Sequence, residues 1–202
     1  MSQYFENDPS LKEQEKTISF SCLGKSFTLT SNTGVFSKDK LDTGSQILLE
    51  TVYKEQKEPV HVLDLGCGIG SLSVVLSSVW NSAFTCVDIN PRALQYAKRN
   101  MKGKGTFLCQ DGIDRGSYDC IVCNPPIRAG KKVIYRLFAQ AMEHCSGTLW
   151  IVIRKNHGAQ SAMRALESLG AQVTRVHREK GFWILKCTKD GMWQWTPFSS
   201  LD

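Results

Sequence analysis

A chain of 202 residues, 42% hydrophobic and 22% charged, can bury one sizeable core and is short for two, so one globular domain with a small N-terminal extension is expected. No apolar run reaches the roughly 20 residues a membrane helix needs, and the start MSQYFENDPS lacks the basic and apolar regions of a signal peptide, which points to a cytoplasmic protein with no membrane partner. The formal charge of +6 leans toward polyanionic partners, and the placement of the lysines and arginines decides what that means.

Taken in chain order, residues 17–22 and 26–30 alternate apolar and polar around Leu23-Gly24-Lys25, a hairpin pattern. A glycine-containing loop over 31–43 leads to a helix beginning near Gly44, with Ile47, Leu48, Val52 and Tyr53 expected inward. Residues 1–43 therefore read as an extension carrying the hairpin and a loop, and 44–202 as the core domain. From His61 on, short apolar strands at 61–66, 84–89, 106–110, 118–123, 149–153, 172–177 and 182–187 alternate with helical patterns. Asn90-Pro91 is an N-cap and first-turn signature for a helix to about Met101. After Gly130, Val133, Ile134, Leu137, Phe138, Ala141, Met142 and Cys145 share one face at helical spacing, as do Ala162, Ala165, Leu166 and Leu169 before Gly170. The fold class is α/β: a mainly parallel seven-stranded sheet, helices on both faces, and sites at the carboxyl ends of its strands.

The alternation breaks twice. Residues 111–117 are too few for an ordinary parallel crossover, but seven or eight extended residues span roughly 25 Å, so a return across the sheet with the helix reduced to a turn is expected. Residues 178–181 are shorter still, and the last two strands must form an antiparallel hairpin at the sheet edge. The eight cysteines are scattered through apolar segments and read as buried hydrophobes. Cys120 and Cys123 form a CxxC pair, but no second pair or histidine cluster completes a zinc site, and within a strand they point to opposite faces; no metal is expected. The tail GMWQWTPFSSLD is expected to pack as a terminal arm, or else to offer aromatics to a partner.

Asp64-Leu65-Gly66-Cys67-Gly68-Ile69-Gly70 joins the first core strand to its helix. Its glycines permit a sharp turn and close ligand approach, and the helix start offers N–H groups and a positive dipole end. The order GxGxG, with an acid two residues before the first glycine, suits an ammonium-bearing ligand better than a pyrophosphate. Asp88, ending the next strand, can accept from ribose hydroxyls; capping the following helix is the other reading, but Asn90 already fills that role. Asp111-Gly112 is either an adenine edge or an ordinary turn. Together these describe a pocket for S-adenosyl-L-methionine.

Three stretches, VLDLGCGIGSLSVVL, VDINPRALQYAKRN and CNPPIRAGK, together with GVFSKDKLDTGSQILLE, resemble class I S-adenosylmethionine-dependent methyltransferases. Within them the likeness, over about residues 15–188, is to the small-domain group that includes guanine-N2 enzymes of small-subunit ribosomal RNA. The resemblance implies that Asp64, Gly66 and Gly68 line the methionine and ribose side, that Asp88 holds the ribose, that Asp111 neighbours the adenine, and that Cys67, Ile89, Gly112 and Asn124 also bind the cofactor. A loop containing Phe36 and ending in Asp42-Thr43-Gly44 would close over the donor, although Asp42 or Thr43 could instead simply cap the next helix.

Asn124-Pro125-Pro126-Ile127 closes the strand at 118–123. An exocyclic amine on a base is a poor nucleophile because its lone pair is delocalised into the ring. The amide oxygen of Asn124 and the carbonyl of Pro125 can each accept one of its N–H groups, and consecutive prolines hold that carbonyl without competing as donors. A plain strand-ending turn is the competing reading. Ile127 stands where amino-methylating enzymes usually carry an aromatic, and would cover the face of the base. Arg128, Lys131, Lys132 and Arg136 follow with no acid among them, and Arg154, Lys155 and His157 follow the next strand at the same edge. This rim can hold phosphates around a splayed base, or be a solvated helix face. The resemblance implies N-methylation of guanine N2 in small-subunit ribosomal RNA, free or in a particle. Alternatives are methylation of a protein glutamine and a non-catalytic donor-binding RNA module.

Overall fold

The computed structural model describes residues 15–32 and 40–189, so Phe36 and the aromatic tail lie outside the described residues. The first hairpin forms as its alternation requires: β1 (Glu15–Cys22) pairs antiparallel with β2 (Lys25–Asn32), turning at Leu23 and Gly24, both at positive φ. Its apolar side puts Ile18 and Leu29 against Ile69 and Ala93.

α1 (Thr43–Glu55) precedes β3 (His61–Leu65), α2 (Ser71–Ser77), β4 (Ala83–Asp88), α3 (Pro91–Asn100), β5 (Thr106–Cys109), β6 (Tyr118–Cys123), α4 (Lys131–His144), β7 (Cys145–Arg154), α5 (Ala159–Ser168), β8 (Ala171–Glu179) and β9 (Phe182–Lys189). The large sheet has seven strands in the order β5-β4-β3-β6-β7-β9-β8, parallel except where β9 pairs with β7 and β8. The closing hairpin is at the edge as expected, but its second strand is the inner one. β9 is inserted beside β7, and β8 is the margin.

The inner strands of the large sheet divide their buried residues between two cores. Leu63, Ile121, Cys123, Leu149, Ile151 and Leu185 join α4 and α5, while Val62, Cys120, Val122, Trp150, Val152 and Ile184 join α1 and α2. Cys120 and Cys123 thus face opposite ways, as a strand requires. The return from β5 to β6 crosses two strands, about 14 Å at the usual spacing, without a helix. Ile113, 3% exposed, fills the core there.

α1 starts at Thr43, next to the expected Gly44. Three local expectations need correction. Tyr53 is 49% exposed, because the inward stripe runs through Ile47, Leu48, Thr51 and Val52 instead. Cys145 opens β7 rather than closing the helix. Cys109 is exposed, while the other seven cysteines are buried. Among the described residues no helix is long and apolar enough to cross a membrane, and no group of three or more His, Cys, Asp or Glu clusters as a metal site would.

Candidate active site

The carboxyl ends of β5, β4, β3, β6 and β7 lie side by side in the sheet, so Asp111, Asp88, Gly66, Asn124 and Arg154 follow one another along one edge. Leu65 is in register with Cys123, which puts the glycine turn next to Asn124 where the chain direction of the connections reverses.

Gly66, Gly68 and Gly70 all have positive φ, at 73°, 55° and 81°. A Cβ on Gly66 or Gly68 would meet nothing within 4 Å, whereas one on Gly70 would press on Ala97 at 3.2 Å. The first two glycines therefore open onto space and the third seats α3. The turn is braced from within: Gly66 N and Cys67 N both donate to the Val87 carbonyl at 2.9 Å, and Gly68 N donates to Asp88 Oδ2 at 2.8 Å. Cys67 itself is buried, with its thiol pushed up by contact with Cys86 and by burial.

Asp64 is 1% exposed. Its Oδ2 accepts from Ser73 Oγ at 2.7 Å and Ser73 N at 3.2 Å, while its buried Oδ1 has no partner. Burial pushes its pKa up to about 7 against the opposing Ser73 bonds. A buried carboxylate oxygen left without a partner is one that a cation or a hydrogen-bond donor would satisfy. Asp88 accepts from Gly68 N on one oxygen and Asn90 N on the other, each at 2.8 Å; burial raises its pKa and these backbone donors oppose the rise. Asn90 caps α3 through Arg92 N and Ala93 N, so Asp88 is not the cap. Ile89 beside it is 42% exposed, a bare apolar surface of the kind a flat ring covers.

The acid at the next strand end is engaged differently. Asp111 Oδ1 accepts from Arg136 Nη2 at 2.7 Å and its carbonyl from Arg136 Nη1 at 3.1 Å, so Arg136 is held at this corner rather than displayed on the rim. Gly112 packs so closely on Gln140 that a Cβ would sit 2.0 Å from Oε1.

At the Asn-Pro-Pro corner, Asn124 is half-buried and Pro125 buried. Asn124 Nδ2 donates to Ser45 Oγ at 3.0 Å and lies 3.4 Å from both oxygens of Asp42. Among the described residues no hydrogen bond reaches its Oδ1. Asp42 caps α1, accepting from Ser45 N at 3.0 Å, so the segment before α1 both caps and reaches the NPP corner. Thr43 is the first residue of that helix, and Gly44 is buried against Phe182, whose ring a Cβ would meet at 2.8 Å. The Pro126 carbonyl is committed to Ala129 N at 2.9 Å within a short 3-10 turn, Ile127–Ala129, where Ile127 rests on the α4–α5 core.

Arg128, Lys131, Lys132, Arg154, Lys155 and His157 are all exposed. A Cβ on Gly158 would lie 3.9 Å from Lys131 Cε, so the turns after β6 and β7 share one rim. The Arg154 guanidinium stacks over the Phe182 ring at 4.7 Å. Ser45, Ser73 and Phe182 were not foreseen from the sequence. Only the GSQ stretch after Asp42 hinted at one of them, through its place in the likeness.

The family model described as "Methyltransferase small domain" matches residues 26–186. The chain is 37% identical over 197 residues to the Bacillus subtilis (strain 168) uncharacterized protein YbxB, covering 92% of this chain and 98% of that one. It is 36% identical over 154 residues to ribosomal RNA small subunit methyltransferase C of Haemophilus influenzae (strain PittEE), covering 70% of this chain and 46% of that protein. The chain thus spans less than half of that relative. A solved T. thermophilus 16S rRNA N2-guanine methyltransferase, in complex with AdoMet and guanosine, superposes with a TM-score of 0.76 at 23% identity, over 92% of this chain and 53% of that one.

Proposed function

The chain belongs to the small-domain methyltransferase family, and we propose that it transfers a methyl group from S-adenosyl-L-methionine to the exocyclic N2 of a guanine in small-subunit ribosomal RNA. The observation that carries this reading is the half-satisfied amide of Asn124: its NH2 is held by Ser45 and Asp42, and its oxygen is left to accept.

The residues present suit the donor. The orphaned Oδ1 of Asp64 and the open faces of Gly66 and Gly68 would take the amino acid end, Asp88 the ribose hydroxyls, and Ile89 the adenine face. When bound, the donor supplies an electrophilic methyl on a sulfonium. The chain's own work is on the acceptor. Asn124 Oδ1 accepts one N–H of the amine and the Pro125 carbonyl the other, drawing the nitrogen lone pair out of conjugation with the ring and toward the methyl; the N–C bond forms as the C–S bond breaks, S-adenosylhomocysteine leaves, and the cationic nitrogen gives up a proton to solvent. Ile127 covers the base, and Arg128, Lys131, Lys132, Arg154 and Lys155 hold the flanking phosphates. The guanine assignment rests on the relatives: the Haemophilus protein is named for small-subunit RNA, and the T. thermophilus structure holds guanosine.

The test is transfer of labelled methyl to total RNA and total protein from a strain lacking the gene, followed by nucleoside analysis. N2-methylguanosine from the small subunit is expected, and label confined to protein would overturn the reading. Asn124→Ala is expected to lower turnover about a hundredfold or more while donor affinity by calorimetry stays within about threefold.

A further inference from the structure

We infer that Asp42, supported by Ser45, is the positioning residue that decides which end of the Asn124 amide faces the substrate; this rests on the reading of Asn124 as the acceptor for the reacting amine. The two ends of a primary amide have nearly the same shape and opposite polarity, one donating and the other accepting. Only the oxygen can take an N–H from the incoming amine. The opposite orientation would set NH2 against NH2.

Ser45 cannot enforce the choice alone. Its hydroxyl, 3.0 Å from Nδ2, can accept from one amide end or donate to the other at little cost. A carboxylate has no such freedom, because it only accepts. Both Asp42 oxygens lie 3.4 Å from Nδ2, long for strong hydrogen bonds but close enough that an amide oxygen in that place would face two like partial charges in a partly buried site.

The carboxylate is itself fixed from the α1 side. Oδ1 is tied to Ser45 N at 3.0 Å as the helix cap, and the Asp42 carbonyl accepts from Gln46 N at 3.0 Å. Gly44 supplies the room: a Cβ there would stand 3.1 Å from Asp42 Oδ1 and 2.8 Å from Phe182 Cε1. A cap needs one oxygen, and the reach of both toward Asn124, 82 residues away in the chain, is what capping leaves unexplained.

Asp42→Asn tests this, because asparagine caps as well as aspartate while replacing one acceptor by a donor. Thermal midpoint and calorimetric affinity for S-adenosylmethionine are expected to stay close to those of the unaltered chain, with kcat on RNA from the gene-deleted strain lowered about 10- to 100-fold. Adding Asn124→Asp reverses both polarities: the donor is now on the α1 side and a carboxylate oxygen again faces the substrate. The double variant is expected to recover about fivefold or more over Asp42→Asn alone, which a purely structural role would not produce. Unchanged kcat in Asp42→Asn, a loss seen only in stability or donor affinity, or no recovery in the double variant would overturn the inference. If Asn124→Ala keeps full turnover, or the unaltered chain transfers no methyl to RNA, the parent reading falls and takes the inference with it. If Asn124→Ala is inactive while Asp42→Asn is fully active, only the inference falls.

Discussion

Asp64 combines a structural duty with an unspent one. One oxygen ties β3 to α2 through both Ser73 donors, and the other is buried without a partner, so burial holds the carboxyl at about 7 where an exposed aspartate would ionise near 3.8. The folded state therefore binds this proton more tightly than the unfolded chain. The resulting stability is complete below about pH 4 and is lost as pH rises toward about 7. The thermal midpoint of the unaltered chain is expected to fall between pH 5 and pH 8 relative to that of Asp64→Asn, and parallel profiles would refute the assignment. Because an ammonium-bearing ligand favours the ionised carboxylate, donor binding near neutral pH should release a proton. Calorimetry in two buffers of different ionisation enthalpy reads that release, which Asp64→Asn should abolish. Asp64, Asp88 and Asn124 could be singled out in the sequence because each stands at or beside the end of an apolar run. Ser73 and Ser45 could not, because nothing local says which carboxylate or amide a helix hydroxyl will meet.

Among the elements, α3 couples the glycine turn after β3 to the N-terminal hairpin. Its first turn is capped by Asn90, its Ala97 lies against Gly70, and its last residue, Asn100, donates to both the Thr30 and Ile69 carbonyls at 2.9 Å. Asn90→Ala removes the acceptor for Arg92 N and Ala93 N and should cost about 1 kcal/mol, a drop of roughly 2–4 °C in thermal midpoint, with Asn90→Asp close to the unaltered chain. A scanning melt checks both. This helix was legible nearly to the residue, since a cap and an N1 proline act over two or three positions. The Tyr53 and Cys145 expectations failed for the complementary reason: both continue a helical stripe, and the packing of α1 on the sheet and the pairing of β7 with β6 decide where that stripe stops. Periodicity alone cannot see either neighbour.

Across the whole molecule, basic side chains collect at the carboxyl edge of the sheet from two separate turns, those after β6 and β7. Four or five phosphate contacts by this rim would give log affinity for single-stranded RNA a slope of about −3 against log salt, and Lys131→Ala with Lys132→Ala should reduce its magnitude by about 1.4. A flat salt dependence would remove the rim from the reading. Arg136 is expected to contribute little, because Asp111 holds it, and Arg136→Ala should leave the slope unchanged.

The amino-acid sequence by itself determined the alternation of strands and helices, the helix-free return before β6, the closing hairpin, and the strand ends at which a donor and an amine could meet. These depend on period, caps and chain length, which are properties of neighbouring residues. The tertiary structure alone decided that β9 lies inside β8, that Arg136 answers Asp111, and that Asp42 reaches Asn124. Those contacts join segments far apart in the chain, and their short-range polarity acts only after packing has brought the partners within a few ångströms.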